Sequence, residues 1–169
     1  MTGSDLEDAF GHHVWATLRV IDVCASLDQE QLASPVPGTY GSILDTMRHT
    51  VGADAWYLFV ITKGRVPQIE EETMELDELR VVMEGHTAAW SSVLAEHLDP
   101  DAVIVVHRDD GTTSHAPAGI RLAQALHHGT DHRSQICTGL TAVGVEPPDI
   151  DVWAFGAERG RVFESPSPA

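Results

Sequence analysis

Apolar residues recur every three or four positions along most of this chain, and that spacing is typical of amphipathic helices. This spacing is found at approximately residues 4–27, 42–63, 76–98 and 118–143. Between the last two, residues 102–107 are β-branched and apolar, and a turn signal at 109–111 allows a partner strand at 112–115. We therefore predict an all-α fold, a four-helix bundle with a short β-hairpin between helices three and four.

The chain has the length of one typical domain. We predict that residues 1–164 form that domain and that the Pro/Ser-rich tail at 165–169 frays. The longest apolar run, at 55–61, is too short to cross a bilayer. The N-terminal residues lack the features of a secretory signal, so a cytoplasmic location is the default expectation.

The charge of the chain is strongly acidic, with 10 Lys or Arg residues against 26 Asp or Glu residues and a formal net charge of -16. Such a surface repels the phosphates of nucleic acids and of anionic lipids, so we expect neither nucleic-acid nor membrane partners. Six of the acids lie between Glu70 and Glu78. A charge run of this kind usually forms a solvated face or the entry to a helix, and we assign no chemistry to it.

The fourth predicted helix carries two histidines with the spacing of metal ligands. His128 and His132 are four residues apart, so both imidazoles project from one face of the helix and can bind one ion. A competing pair, His127 and Asp131, has the same spacing about 100° around the helix, and spacing alone does not choose between the two pairs. The second predicted helix offers a third ligand, His49, at a position where a buried imidazole would need a partner.

A histidine pair with this spacing is more often structural than metal-binding, so the pattern by itself is a weak signal. Three neutral imidazoles would nevertheless leave one coordination position open, as in catalytic sites, and they suit zinc, nickel, iron or copper. The face of the fourth helix that carries His128 also carries Arg121, Gln124 and Gln135. We interpret these three, together with Trp56 near His49, as candidate substrate-binding residues.

The other histidine and tryptophan residues are assigned to structure. His86 is expected in the core or at its rim, and His12 and His13 at the surface. The tryptophans are expected mostly as core anchors, and the segment that contains Trp153 should pack across the end of the bundle.

Two of the helical segments resemble the signatures of a known family. Residues 49–56 (HTVGADAW) resemble the second-helix signature of the DinB-like superfamily, and residues 128–136 (HGTDHRSQI) resemble its fourth-helix signature. The segments LTAVG at 140–144 and PPDID at 147–151 are similar to the usual exit from that last helix. The likeness covers residues of about 15–151.

This resemblance implies a four-helix bundle with a crossover connection that binds one divalent ion through three histidines. Carried over by position, the ligands are His49, His128 and His132, with zinc or nickel favoured as the ion. The family motif commonly has Gly where this chain has Ser134, a change that touches no ligand. Family members are often homodimers, and we also expect a homodimer because the first two predicted helices are apolar on more than one face.

The better-studied relatives in this superfamily are thiol-dependent transferases and isomerases. Mycothiol-dependent maleylpyruvate isomerase is similar to this chain in its bundle only. The resemblance implies a metal-dependent enzyme that transfers a low-molecular-weight thiol to a small electrophile, with its catalytic residues unassigned. A metal-dependent small-molecule hydrolase and a non-catalytic metal- or ligand-binding stress protein are the alternatives, because all three would use the same ligands.

Overall fold

A computed structural model describes residues 5–165, and helices dominate it. The helices are α1 (Asp5–Cys24), α2 (Gln29–Leu32), α3 (Ile43–Ile61), α4 (Leu76–Ala95), α5 (Ala118–Ala142) and α6 (Val152–Glu158). A 3-10 turn covers Glu71–Thr73. Strands β1 (Val103–His107) and β2 (Thr113–Pro117) pair antiparallel, with Val105 opposite His115. The predicted all-α bundle with a short hairpin is confirmed.

The four long helices α1, α3, α4 and α5 enclose one apolar core. Both α1 and α3 pack against α4 and against α5. Helices α1 and α3 are the first two long helices in the chain, but they lie diagonally opposite each other in the bundle. The connection at 25–42, which includes α2, therefore crosses the end of the bundle from one to the other. Among the described residues, no helix is long and apolar enough to span a membrane.

Local sequence signals predicted the limits of the long helices to within a few residues. Ser42 caps α3 by accepting a hydrogen bond from the backbone N–H of Asp45, as a helix-start pattern predicts. Helices α1 and α4 end about three residues earlier than predicted, and the predicted helix start at Ser4 lies outside the described residues, as does most of the tail at 165–169. Helices α2 and α6 were not predicted, because an apolar period is not readable over so few residues.

The prediction that tryptophans are mostly core anchors fails at Trp153, whose side chain is 72% exposed. In α6 it is Phe155 that is buried, and its ring packs on Trp15 of α1 with centroids 5.5 Å apart. Side chains two positions apart on a helix point in directions about 200° apart, so Trp153 and Phe155 cannot both face the bundle.

A buried carboxylate joins the four long helices. Asp54 of α3 is 3% exposed, and its oxygens lie 2.9 Å from Nε2 of His13 and 2.7 Å from Nδ1 of His86. The indole N–H of Trp90 also donates to it, at 3.1 Å. Burial disfavours the charged carboxylate, but the facing imidazoles of His13 and His86 outweigh burial and hold the pKa of Asp54 well below its usual value.

Arg133 of α5 completes this network. Its guanidinium donates to Nδ1 of His13 at 3.0 Å and to the hydroxyl of Thr17 at 3.1 Å. Because arginine only donates, Nδ1 of His13 accepts, and the proton of His13 is on Nε2, where it faces Asp54. The expectation that His13 lies at the surface is wrong. Its side chain is only 2% exposed. The prediction failed because the partners of His13 are 41 and 120 residues away in the chain, where no local sequence pattern can indicate them.

Replacing Asp54 should destabilise the fold strongly. Asp54→Ala leaves three buried donors without their acceptor, and we expect a loss of about 3–5 kcal/mol in the free energy of unfolding, measured by urea denaturation. The matched control is Asp22→Ala, which removes the carboxylate that pairs with the exposed Arg80 and should cost less than about 1 kcal/mol. Equal losses in the two variants would contradict the importance of the network.

Candidate metal centre

Three imidazoles from two helices meet in this structure. His49 projects from α3, and His128 and His132 project from α5. The Nε2 atoms of His49 and His128 are 3.1 Å apart, and one ring nitrogen from each of the three residues lies within 4.8 Å of the other two. His127 and Asp131 are exposed on another face of α5. Of the two competing pairs, it is therefore His128 and His132 that face the bundle.

The spacing and the protonation state of His49 and His128 suit a metal ion. Nitrogens bound tetrahedrally at about 2.0–2.1 Å from a zinc ion lie about 3.3–3.4 Å apart, close to the 3.1 Å between the Nε2 atoms of His49 and His128. Burial, and then the neighbouring His132 and His49, lower the pKa of His128 to about 4. Burial, and then His132, lower the pKa of His49 as well. Both rings are therefore neutral at pH 7, which is the form that binds metals.

Oxygen atoms face the Nδ1 atoms of two of these rings. Nδ1 of His132 lies 3.2 Å from Oε1 of Gln135, which also accepts the backbone N–H of Tyr40 at 2.8 Å. Nδ1 of His49 lies 3.8 Å from Oε1 of Glu71. An acceptor at Nδ1 keeps the proton there and leaves Nε2 with a free lone pair, as in many protein metal sites.

Tyr40 covers part of the cluster from the loop before α3. Its ring stacks on His49 with centroids 4.0 Å apart and planes 3° apart, and it lies nearly perpendicular to the ring of His132, with centroids 5.5 Å apart. Sequence reasoning missed this residue, because the Pro- and Gly-rich segment around it indicates only a break between helices.

A cleft of about 330 Å³ opens beside His49 and His128. Trp56 and Tyr57 of α3 form aromatic walls, and Glu71 contributes a carboxylate from the 3-10 turn. Trp56, which was predicted to bind substrate, lines this cleft. Glu71 belongs to the acidic run that was expected to be a solvated face or a helix entry, and the structure corrects that expectation for this residue, whose side chain is only 26% exposed and borders the cleft.

The other predicted substrate-binding residues lie further from the cleft. Gln124 reaches it through a side-chain hydrogen bond to Tyr57. Arg121 is buried and donates to the carbonyl of Ile104 on β1 at 3.0 Å, so it attaches the hairpin to α5. Gln135 contacts His132 and the loop that carries Tyr40.

Comparison with known proteins agrees with this architecture. The sequence profile of the DinB family matches residues 1–160. A search of curated proteins finds no match to the sequence.

The metal-free protein should become less stable as the pH falls from 6.5 towards 4. The pKa of His128 is about 4 in the folded chain against an ordinary 6.5, so the unfolded chain binds more protons than the folded chain between these pH values. The free energy of unfolding therefore decreases as the pH is lowered through this range. His128→Ala should reduce this slope, and His127→Ala, at an exposed position, should keep it. Urea denaturation in chelator-treated buffer measures both, and equal slopes in wild type and His128→Ala would contradict the assignment.

Proposed function

We propose, from the premise that this chain belongs to the DinB family, that it is a divalent-metal-dependent enzyme that transfers a low-molecular-weight thiol to a small electrophile. The observation that carries the proposal is the cluster of His49, His128 and His132 beside an open cleft. Three neutral imidazoles are a ligand set that leaves a coordination position for a further molecule.

The three histidines would hold one divalent ion, with zinc or nickel favoured among the metals that imidazole binds well. When bound, such an ion lowers the pKa of a coordinated thiol and so supplies a thiolate at neutral pH. The chain's own residues provide the surroundings for that reaction. Tyr40 shields the cluster on one side, and Trp56 and Tyr57 give apolar walls against which a small electrophile can pack.

The proposed transfer is a substitution or addition at an electrophilic carbon. The thiol loses its proton to solvent and a carbon–sulfur bond forms. In a substitution the leaving group departs with the electrons of the bond that breaks, and in an addition the electrons of the broken π bond move to the neighbouring atom, which takes a proton from solvent. Trp56 would contact the substrate directly, and Gln124 would act through Tyr57. Roles in substrate binding for Arg121 and Gln135 are also proposed, from the face of α5 that they share with His128.

We also propose that the protein works as a cytoplasmic homodimer on a small-molecule ligand. Large apolar side chains on several elements are exposed, among them Val81 at 68% and Ile120 at 61%. Exposed apolar side chains of this size, where they form a continuous surface, are typical of interfaces between subunits.

Elemental analysis of protein purified without an affinity tag tests the metal centre. We expect about one divalent ion per chain in the wild type and none in His49→Ala, His128→Ala or His132→Ala, because each substitution removes one of the three proposed ligands. His127→Ala, which alters an exposed neighbour on α5, should keep the full metal content. Retention of the metal by the three ligand variants would contradict the site.

Incubation of metal-loaded protein with a panel of electrophiles, with and without mycothiol, bacillithiol or glutathione, tests the activity. We expect turnover that requires a thiol and that is lost in His132→Ala, because that variant lacks a metal ligand. Turnover without any thiol would instead identify a metal-dependent hydrolase. Tight ligand binding without turnover would identify a non-catalytic binding protein.

A further inference from the structure

Resting on the proposed metal site, we infer that Glu71 is a positioning residue for His49. Its carboxylate lies 3.8 Å from Nδ1 of the imidazole and would accept a hydrogen bond from the N–H there, which would leave Nε2 free and turned towards His128 and His132. This role would separate Glu71 from the other acids of the run at 70–78.

The two ring nitrogens of His49 point to different partners. Nε2 lies 3.1 Å from Nε2 of His128, inside the cluster. Nδ1 lies 3.8 Å from Oε1 of Glu71, a distance that a small movement of the flexible glutamate side chain would close to a hydrogen bond. His132 has the same arrangement on α5, where Gln135 provides the oxygen that faces Nδ1.

The backbone makes room for this carboxylate. Gly52 lies three residues after His49, on the same side of α3, and a Cβ atom at position 52 would overlap the carboxylate of Glu71. Any larger residue at 52 would therefore push Glu71 away from His49. The combination of a glycine and a glutamate at these positions gives a slot that fits one carboxylate.

The segment that carries Glu71 is also held in place. The 3-10 turn Glu71–Thr73 packs against α3, and the guanidinium of Arg48, beside His49, donates to the carbonyl of Met74 at 2.7 Å. Glu71 is 26% exposed, whereas the next residue, Glu72, is exposed to solvent. Glu72→Ala is therefore a matched control, since it removes the same charge from the same turn without touching His49.

Nitrogen-15 NMR of the metal-free protein tests the inference without using the metal. We expect the Nδ1–H tautomer of His49 to predominate in the wild type and in Glu72→Ala. In Glu71→Ala the population should move towards the Nε2–H tautomer, because the acceptor at Nδ1 is gone. An unchanged tautomer population in Glu71→Ala would overturn the inference.

Zinc affinity, measured by competition with a chromophoric chelator, gives the second readout. Glu71→Ala should raise the Kd by about 10- to 100-fold, as loss of such a partner usually does, and Glu71→Gln should raise it less because an acceptor oxygen remains. Gly52→Ala should reproduce the effect of Glu71→Ala, and the double variant should be no worse than either single variant, because both changes remove the same contact.

The outcomes separate this inference from the proposed function. Equal zinc affinity in wild type, Glu71→Ala and Glu72→Ala would overturn the role of Glu71 and leave the three-histidine site intact. A wild type that binds no zinc or nickel would instead contradict the proposed metal site, and the tautomer measurement would still decide whether Glu71 orients His49.

Discussion

The arrangement of the helices depends on the hydrogen bonds made by the buried carboxylate of Asp54. A charge in an apolar core is tolerated only when donors surround it, and the donors here come from α1 and α4, with Arg133 of α5 behind His13. Asp54 lies five residues after His49 on α3, and Arg133 directly follows His132 on α5. The hydrogen bonds that hold the bundle together therefore also hold the two helices that carry the imidazoles at a defined separation.

The candidate metal centre combines residues on helices with residues on the connections between them. Helices α3 and α5 supply the three imidazoles, and two connections supply the residues around them. Tyr40 comes from the loop before α3, and Glu71 comes from the turn after it. Ligands on packed helices keep a precise geometry. The cleft beside His49 and His128 lies where these two kinds of element meet.

Much of the fold and part of the site could be predicted from the sequence. The apolar period located the four long helices, and Ser42 marked the start of α3, because both signals depend on residues close together in the chain. The spacing of His128 and His132 identified a metal-binding pattern for the same reason. His13 and Trp153 were misplaced, since whether a residue on a helix faces the core depends on which distant segment packs against it. Glu71 was missed because it looks like its acidic neighbours until the turn is placed against Gly52.

By itself, the sequence determined the type and approximate limits of the long helices, the position of the hairpin and the spacing of the histidines, all of which follow from the local geometry of a helix or strand. The spacing of the histidines left two faces of α5 open, and the family resemblance favoured the face with His128 and His132. The tertiary structure alone shows that this pair, and not His127 with Asp131, meets His49. It alone also brought Asp54 to His13 and Glu71 to His49. Those choices depend on contacts between residues far apart in the chain, and the free energy of such contacts exists only after the helices have packed.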